Sequence, residues 1–153
     1  MTLDPTILRT SFELVIDRRP DLTVRFYEIL FERSPALAPM FRRDRAAQSR
    51  MLSGAIAAVL DHLEDAPWLA STLGQLGAQH VEYGVTDEMY AQVGDALLAT
   101  LAEVAGADWT PVVAEQWTLA YGAIAGLMQA GANALISARP TLKRMHSPTL
   151  PEA

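Results

Sequence analysis

The stretch LGAQHVEYGV, residues 76–85, places a histidine in the last turn of a helix that is predicted to end near Gly84. The chain has 3 histidines and no cysteine, so few side chains are available to bind a transition metal. A histidine in a helical protein is often neutral and hydrogen-bonded to a carbonyl, and on a helix the carbonyl of Leu76 is within reach of His80. The alternative is that His80 binds a metal, and this stretch alone leaves both interpretations open.

The apolar residues on both sides of this stretch recur at three- and four-residue spacing, which is typical of amphipathic helices. Asp4–Pro5 predicts a helix start, Ser34–Pro35 predicts a helix end, and Thr86 predicts the cap of a further helix. Gly74 and Gly77 predict broken or frayed segments before His80.

No strand pattern or internal repeat is found in the sequence. The sequence therefore predicts one all-α domain of about seven helices over residues 1–138. Three prolines and mixed polarity from Arg139 onward predict a loose C-terminal tail, residues 139–153.

Composition excludes several classes of protein. The formal net charge of -6 argues against general nucleic-acid binding, which needs a basic surface. The N-terminus lacks the features of a signal peptide, and no apolar run reaches the length of about 18 residues that indicates a membrane span. A cytoplasmic protein without disulfides is expected. One basic cluster, Arg42, Arg43, Arg45 and Arg50, is either a solvated surface or a contact for an anion.

Tyr27 and Gln48 each lie in an otherwise apolar pattern. A buried tyrosine usually finds an ordinary hydrogen-bond partner, and a helical glutamine is usually solvated. The alternative is that both donate hydrogen bonds to one small polar ligand, such as bound dioxygen with partial negative charge. Phe41 is equally suited to the core or to a wall against a planar cofactor.

For His80 the corresponding alternative is an axial bond to haem iron, with the second ring nitrogen donating a hydrogen bond. Other chemistry has little support, because the sequence contains no nucleophile elbow, phosphate-binding loop or zinc-protease motif. His62 and His146 are too far from His80 in sequence to indicate a zinc site.

Several segments between residues 4 and 137 resemble the globin family, and more narrowly the bacterial single-domain haemoglobins and the haem domain of flavohaemoglobins. The segments are RFYEILFERSPALAPMF (25–41), AQSRMLSGAIAAV (47–59), LGAQHVEYGV (76–85), MYAQVGDALLATLAEV (89–104) and WTLAYGAIAG (117–126). Their order and spacing carry the resemblance, because no one of them is specific alone.

The resemblance implies a globin fold in a three-over-three arrangement around haem b, with His80 as the iron ligand. It also implies that Tyr27 and Gln48 stabilise the gas on the distal side. The further residues that it places against the cofactor are Phe41, Leu52, Val85, Tyr90, Val93 and Leu97.

Two positions depart from the flavohaemoglobin pattern. The segment between Phe41 and Gln48 is a few residues shorter than in that group. In that group a glutamate joins the proximal histidine and a tyrosine in a hydrogen-bond network. Tyr90 matches the tyrosine, but this chain has Ala132 at the position of the glutamate. Without the carboxylate, electron donation to iron and peroxidase-like chemistry are expected to be weaker.

The resemblance implies reversible binding of dioxygen, with carbon monoxide and nitric oxide as further ligands, for oxygen storage or delivery. The alternative is an enzyme, a nitric oxide dioxygenase. Since no flavin or nicotinamide domain follows in the sequence, that activity is expected to need a separate flavin reductase. A haem-free helical sensor or interaction domain is a third class, and an absorption spectrum distinguishes it from the other two.

Overall fold

The computed structural model describes residues 2–41 and 43–146. Within these residues there are six α-helices and two short 3-10 helices, and no strand. The α-helices are α1 (Pro5–Arg18), α2 (Leu22–Arg33), α3 (Arg45–Asp61), α4 (Ala66–Glu82), α5 (Asp87–Ala105) and α6 (Pro111–His146). The 3-10 helices are Pro35–Met40, between α2 and α3, and Gly106–Asp108, between α5 and α6.

The predicted helix boundaries at Asp4, Ser34 and Thr86 are confirmed. The Asp4 carboxylate accepts hydrogen bonds from the amides of Thr6 at 3.0 Å and Ile7 at 3.2 Å, so it caps α1. α2 ends at the residue before Ser34, and Thr86 is the N-cap of α5. Local sequence therefore decides where these helices begin and end.

The predicted breaks at Gly74 and Gly77 are wrong, because α4 runs without interruption from Ala66 to Glu82. Glycines on both helices instead let the backbones of α4 and α6 touch, at Gly77 in α4 and at Gly131 in α6. A Cβ atom on Gly77 would lie 1.8 Å from the carbonyl oxygen of Met128, and one on Gly131 would lie 2.0 Å from that of Gly74. The low helix propensity of glycine is outweighed here by close helix packing.

α6 continues through Arg139 to His146, so the first part of the segment predicted as a loose tail is helical, and its loose attachment stays a prediction. Residues 147–153 lie outside the described part of the chain. The segment Pro111–Ala138 is long and apolar enough, by length and composition alone, to cross a membrane, with a mean hydropathy of 1.3 over its most apolar window. The core helices of soluble proteins meet the same criterion, and α6 packs against α1, α4 and α5.

Three clusters of buried side chains form the core. One joins α1, α3, α5 and α6 around Leu8, Leu101 and Trp117. A second joins α2 and α5 around Phe26, Leu30 and Ala96, and also contains Tyr27. A third joins α3, α4, α5 and α6 around Val59, Leu73, Tyr90 and Met128. The last two clusters position most of the candidate site residues.

Candidate functional site

Tyr27 of α2 and Gln48 of α3 come together in the structure. The Gln48 Nε2 donates a hydrogen bond to the Tyr27 hydroxyl oxygen at 3.1 Å. Tyr27 is only 3% exposed, so this contact lies at the edge of the core. Asp44 fixes the start of α3 by accepting hydrogen bonds from the amides of Ala46 and Ala47, and one turn later Gln48 faces α2.

An aromatic wall surrounds this pair. The ring centroid of Phe41 lies 5.3 Å from that of Tyr27, and the ring of Phe31 lies 5.4 Å from Phe41. A cavity of about 190 Å³ opens beside the wall, lined by Tyr27, Phe31, Phe41, Arg43, Arg45 and Gln48. Phe31 was not among the predicted site residues, although its four-residue spacing from Tyr27 places both rings on one face of α2.

The Tyr27 phenol is a hydrogen-bond donor at neutral pH. Burial raises its pKa above the ordinary value, while the Gln48 hydrogen bond and the charge of Arg45 act in the opposite direction. The hydroxyl oxygen accepts from Gln48, so its hydrogen remains available to a ligand. Tyr27 and Gln48 can therefore both donate to the same small acceptor.

His80 lies in the last turn of α4, and its Nδ1 is 2.6 Å from the carbonyl oxygen of Leu76. Because a carbonyl only accepts, Nδ1 is the donor in this contact, and in the neutral ring Nε2 is then the nitrogen that can bind a metal. The chain then turns at Gly84, which has a φ of 80°, and the Val85 amide donates to the His80 carbonyl at 3.1 Å. This turn fixes the end of α4 and the backbone of His80.

Tyr90 of α5 has a buried hydroxyl with no hydrogen-bond partner among the described residues. Burial, and secondarily the charge of Asp87, raises the pKa of Tyr90. The Tyr121 hydroxyl of α6 donates to the backbone carbonyl of Tyr90, not to its side chain. The Tyr121 ring lies against the α5 backbone, where a Cβ on Gly94 would be 2.3 Å from it. The sequence analysis gave no role to Tyr121.

The remaining predicted cofactor contacts fall into two neighbouring groups. Leu52, Val93 and Leu97 pack against the cluster that contains Tyr27, and Phe41 packs there as well. Val85 packs against the cluster that contains Tyr90, together with Leu76. The predicted cofactor contacts therefore lie in two clusters, one that contains Tyr27 and one that contains Tyr90.

A model of the globin family matches residues 24–128. The chain belongs to the globin family. This match covers α2 to α6, including Tyr27, Gln48 and His80. The predicted all-α, three-over-three globin fold is confirmed.

This globin is 32% identical over 122 residues to a flavohemoprotein of Bacillus thuringiensis, a match that covers 78% of the chain but 30% of the relative. The chain thus spans less than a third of the length of the curated relatives it matches. A bacterial globin from Campylobacter jejuni is 26% identical with a TM-score of 0.74, covering 87% of this chain and 96% of that one. A flavohemoglobin from Malassezia yamatoensis, solved with bound FAD and heme, shares the fold at 22% identity and a TM-score of 0.70, covering 87% of this chain and 36% of that one.

The residues of this globin fit a haem. No group of three or more histidine, cysteine or acidic residues that could hold a metal occurs among the described residues. The His80 Nε2 is of the type that binds haem iron, and the Tyr90 hydroxyl is a buried polar group without a partner among the described residues. His62 is a poorer candidate, because its ring stacks on Trp68 at a centroid distance of 3.7 Å.

Proposed function

We propose that this globin holds haem b through His80 and binds dioxygen reversibly on the side that faces Tyr27 and Gln48. Haem iron, when bound, supplies the coordination position at which a diatomic gas binds. The Leu76 carbonyl orients the His80 imidazole through Nδ1, so that Nε2 is available to act as a ligand. Because the chain has no cysteine for thioether attachment, the cofactor is held without covalent bonds to its ring.

The hydrogen bond between Gln48 and Tyr27 is the observation that carries this proposal. This hydrogen bond brings two donor groups together beside aromatic rings. The phenolic hydrogen of Tyr27 has no acceptor among the described residues. Dioxygen gains partial negative charge when captured, whereas carbon monoxide gains little. Hydrogen-bond donors positioned at the bound gas therefore favour dioxygen selectively.

The test is the absorption spectrum of the purified full chain, in the reduced state, before and after repeated exposure to dioxygen. Reversible cycling between two haem spectra supports the proposal. Absence of a haem spectrum after loading, or immediate oxidation on the first exposure, contradicts it. His62→Ala is the matched control and should cycle like the parent, because His62 is engaged with the Ala58 carbonyl and with Trp68.

The same residues could serve a second function, the conversion of nitric oxide and dioxygen to nitrate, which needs one electron for each turnover. This candidate is favoured by the curated relatives, which are flavohemoproteins. The match covers 30% of the length of the relative from Bacillus thuringiensis. The electron would come from a separate flavin reductase. Rapid mixing of the oxygenated protein with nitric oxide, with and without a flavin reductase, tests it. Formation of no more than one nitrate per oxygenated protein, with or without the reductase, supports a single reaction. Sustained nitrate formation in the presence of the reductase supports an enzyme.

A further inference from the structure

Two arginines that line the cavity beside Tyr27 and Gln48 have no acidic partner in the part of the chain that the structure describes. Among the described residues, ion pairs involve Arg9, Arg18, Arg19 and Arg25. Arg43 and Arg45 make none, yet both line the cavity beside Tyr27 and Gln48. A chain with a net charge of -6 has many carboxylates that could pair with them. Two unpaired cations therefore face one small cavity.

Both arginine side chains are held in place by contacts that leave their charge unneutralised. The Arg45 guanidinium lies 5.0 Å above the centre of the Phe31 ring, a cation–π arrangement. The Arg43 Nη1 contacts the Met51 sulfur, a weak acceptor without charge. Because these contacts already restrict both side chains, less conformational entropy is lost when the side chains bind an anion.

The acidic residue nearest in sequence does not line the cavity. Asp44 lies between the two arginines in the chain, and its oxygens accept from the amides of Ala46 at 2.9 Å and Ala47 at 3.3 Å. Its charge offsets part of the local positive potential, but its oxygens are engaged in capping α3. No carboxylate is among the residues that line the cavity.

We propose that this cavity binds a small inorganic oxyanion of the nitrate type. Arg43 and Arg45 supply charge and N–H donors, and Tyr27 and Gln48 supply two further donors without a carboxylate to compete. A volume of about 190 Å³ accommodates such an anion with water, but it is too small for a large organic anion. The site requires no haem, although it also suits the product of the nitric oxide reaction considered above.

The test is a nitrate titration of the purified full chain at low ionic strength, followed by NMR of the arginine Nε–Hε groups. Carbon monoxide keeps any bound haem diamagnetic, so the same measurement serves with or without the cofactor. We expect saturable shifts of the Arg43 and Arg45 signals in the parent. Arg45→Gln should weaken nitrate binding about fivefold, equivalent to about 1 kcal/mol, as expected for one exposed ion pair.

Arg50→Gln is the matched control, because Arg50 is also exposed, unpaired and on α3, but does not line this cavity. It should leave nitrate binding unchanged. Shifts that grow linearly without saturation, or equal weakening in Arg50→Gln and Arg45→Gln, would overturn the proposal. The His80→Ala variant should lose haem but keep its nitrate affinity. A failure of haem binding can therefore be distinguished from a failure of the anion site.

Discussion

Gly77 of α4 lies against the backbone carbonyl of Met128 in α6, so closely that a Cβ atom would stand 1.8 Å from the Met128 oxygen. His80 follows Gly77 by three residues, within one turn of the same helix. The position of the candidate iron ligand is therefore tied to the distance between two helix backbones.

Gly77→Ala should lower both the free energy of unfolding and the haem affinity. The added methyl group meets backbone, which cannot turn aside as a side chain can, so α4 must shift. The expected loss is about 1–3 kcal/mol, as for overpacked cores, measured by chemical denaturation. Gly54→Ala in α3 is the control. Its Cβ meets nothing within 4 Å, and we expect a gain of about 0.5–1 kcal/mol. Equal stability of the two variants would show that α4 and α6 do not touch at Gly77.

His80→Ala should abolish the axial bond and most haem binding. The Nε2 of His80 is the proposed iron ligand, and the Leu76 carbonyl holds the ring through Nδ1. Added imidazole should partly restore the haem spectrum by occupying the vacated position. The measurement is haem titration followed by absorbance, with His62→Ala as control. An unchanged spectrum in His80→Ala without imidazole would rule out this assignment.

Tyr27→Phe and Gln48→Leu should each speed the escape of dioxygen. A hydrogen bond to a partly charged acceptor contributes roughly 1.5–3 kcal/mol, and 1.4 kcal/mol corresponds to about one decade in rate. Dioxygen should therefore leave about tenfold faster or more, while carbon monoxide should change much less. Stopped-flow measurement of both dissociation rates decides the matter. If both gases leave faster by the same factor, the substitutions have opened the pocket and polar stabilisation is not the cause.

Tyr90→Phe should leave the stability of the haem-free protein unchanged or raise it. The Tyr90 hydroxyl is buried without a partner among the described residues, and an unsatisfied buried polar group costs about 1–3 kcal/mol. Tyr121→Phe provides the contrast, because its hydroxyl donates to the Tyr90 carbonyl and its loss should destabilise the protein. A clear loss of stability in haem-free Tyr90→Phe would mean that its hydroxyl has a partner.

The sequence predicted those features that depend on a few adjacent residues. Asp4 and Thr86 cap helices through contacts within one turn, and His80 reaches the Leu76 carbonyl on its own helix. The resemblance to globins supplied the pairing of Tyr27 with Gln48, which local patterns cannot give because the residues lie on different helices.

The features that the sequence analysis missed depend on contacts between distant segments. Gly77 was interpreted from its helix propensity, which contains no information about the approach of α6. Arg45 was seen as part of a charged cluster, but its placement over Phe31 requires the α2–α3 packing. Arg42, from the same cluster, lies outside the described residues.

The contact between Gly74 and Gly131 is not symmetric. A methyl group on Gly131 would strike the Gly74 carbonyl at 2.0 Å, whereas one on Gly74 would meet only the Gly131 Cα at 4.0 Å, an ordinary van der Waals distance. The two glycines therefore have unequal freedom to change over evolutionary time. Alanine can replace Gly74 in a single step, but at Gly131 it requires the two helices to move apart, since the obstructing atoms belong to the main chain and no change of side chain at Gly74 removes them.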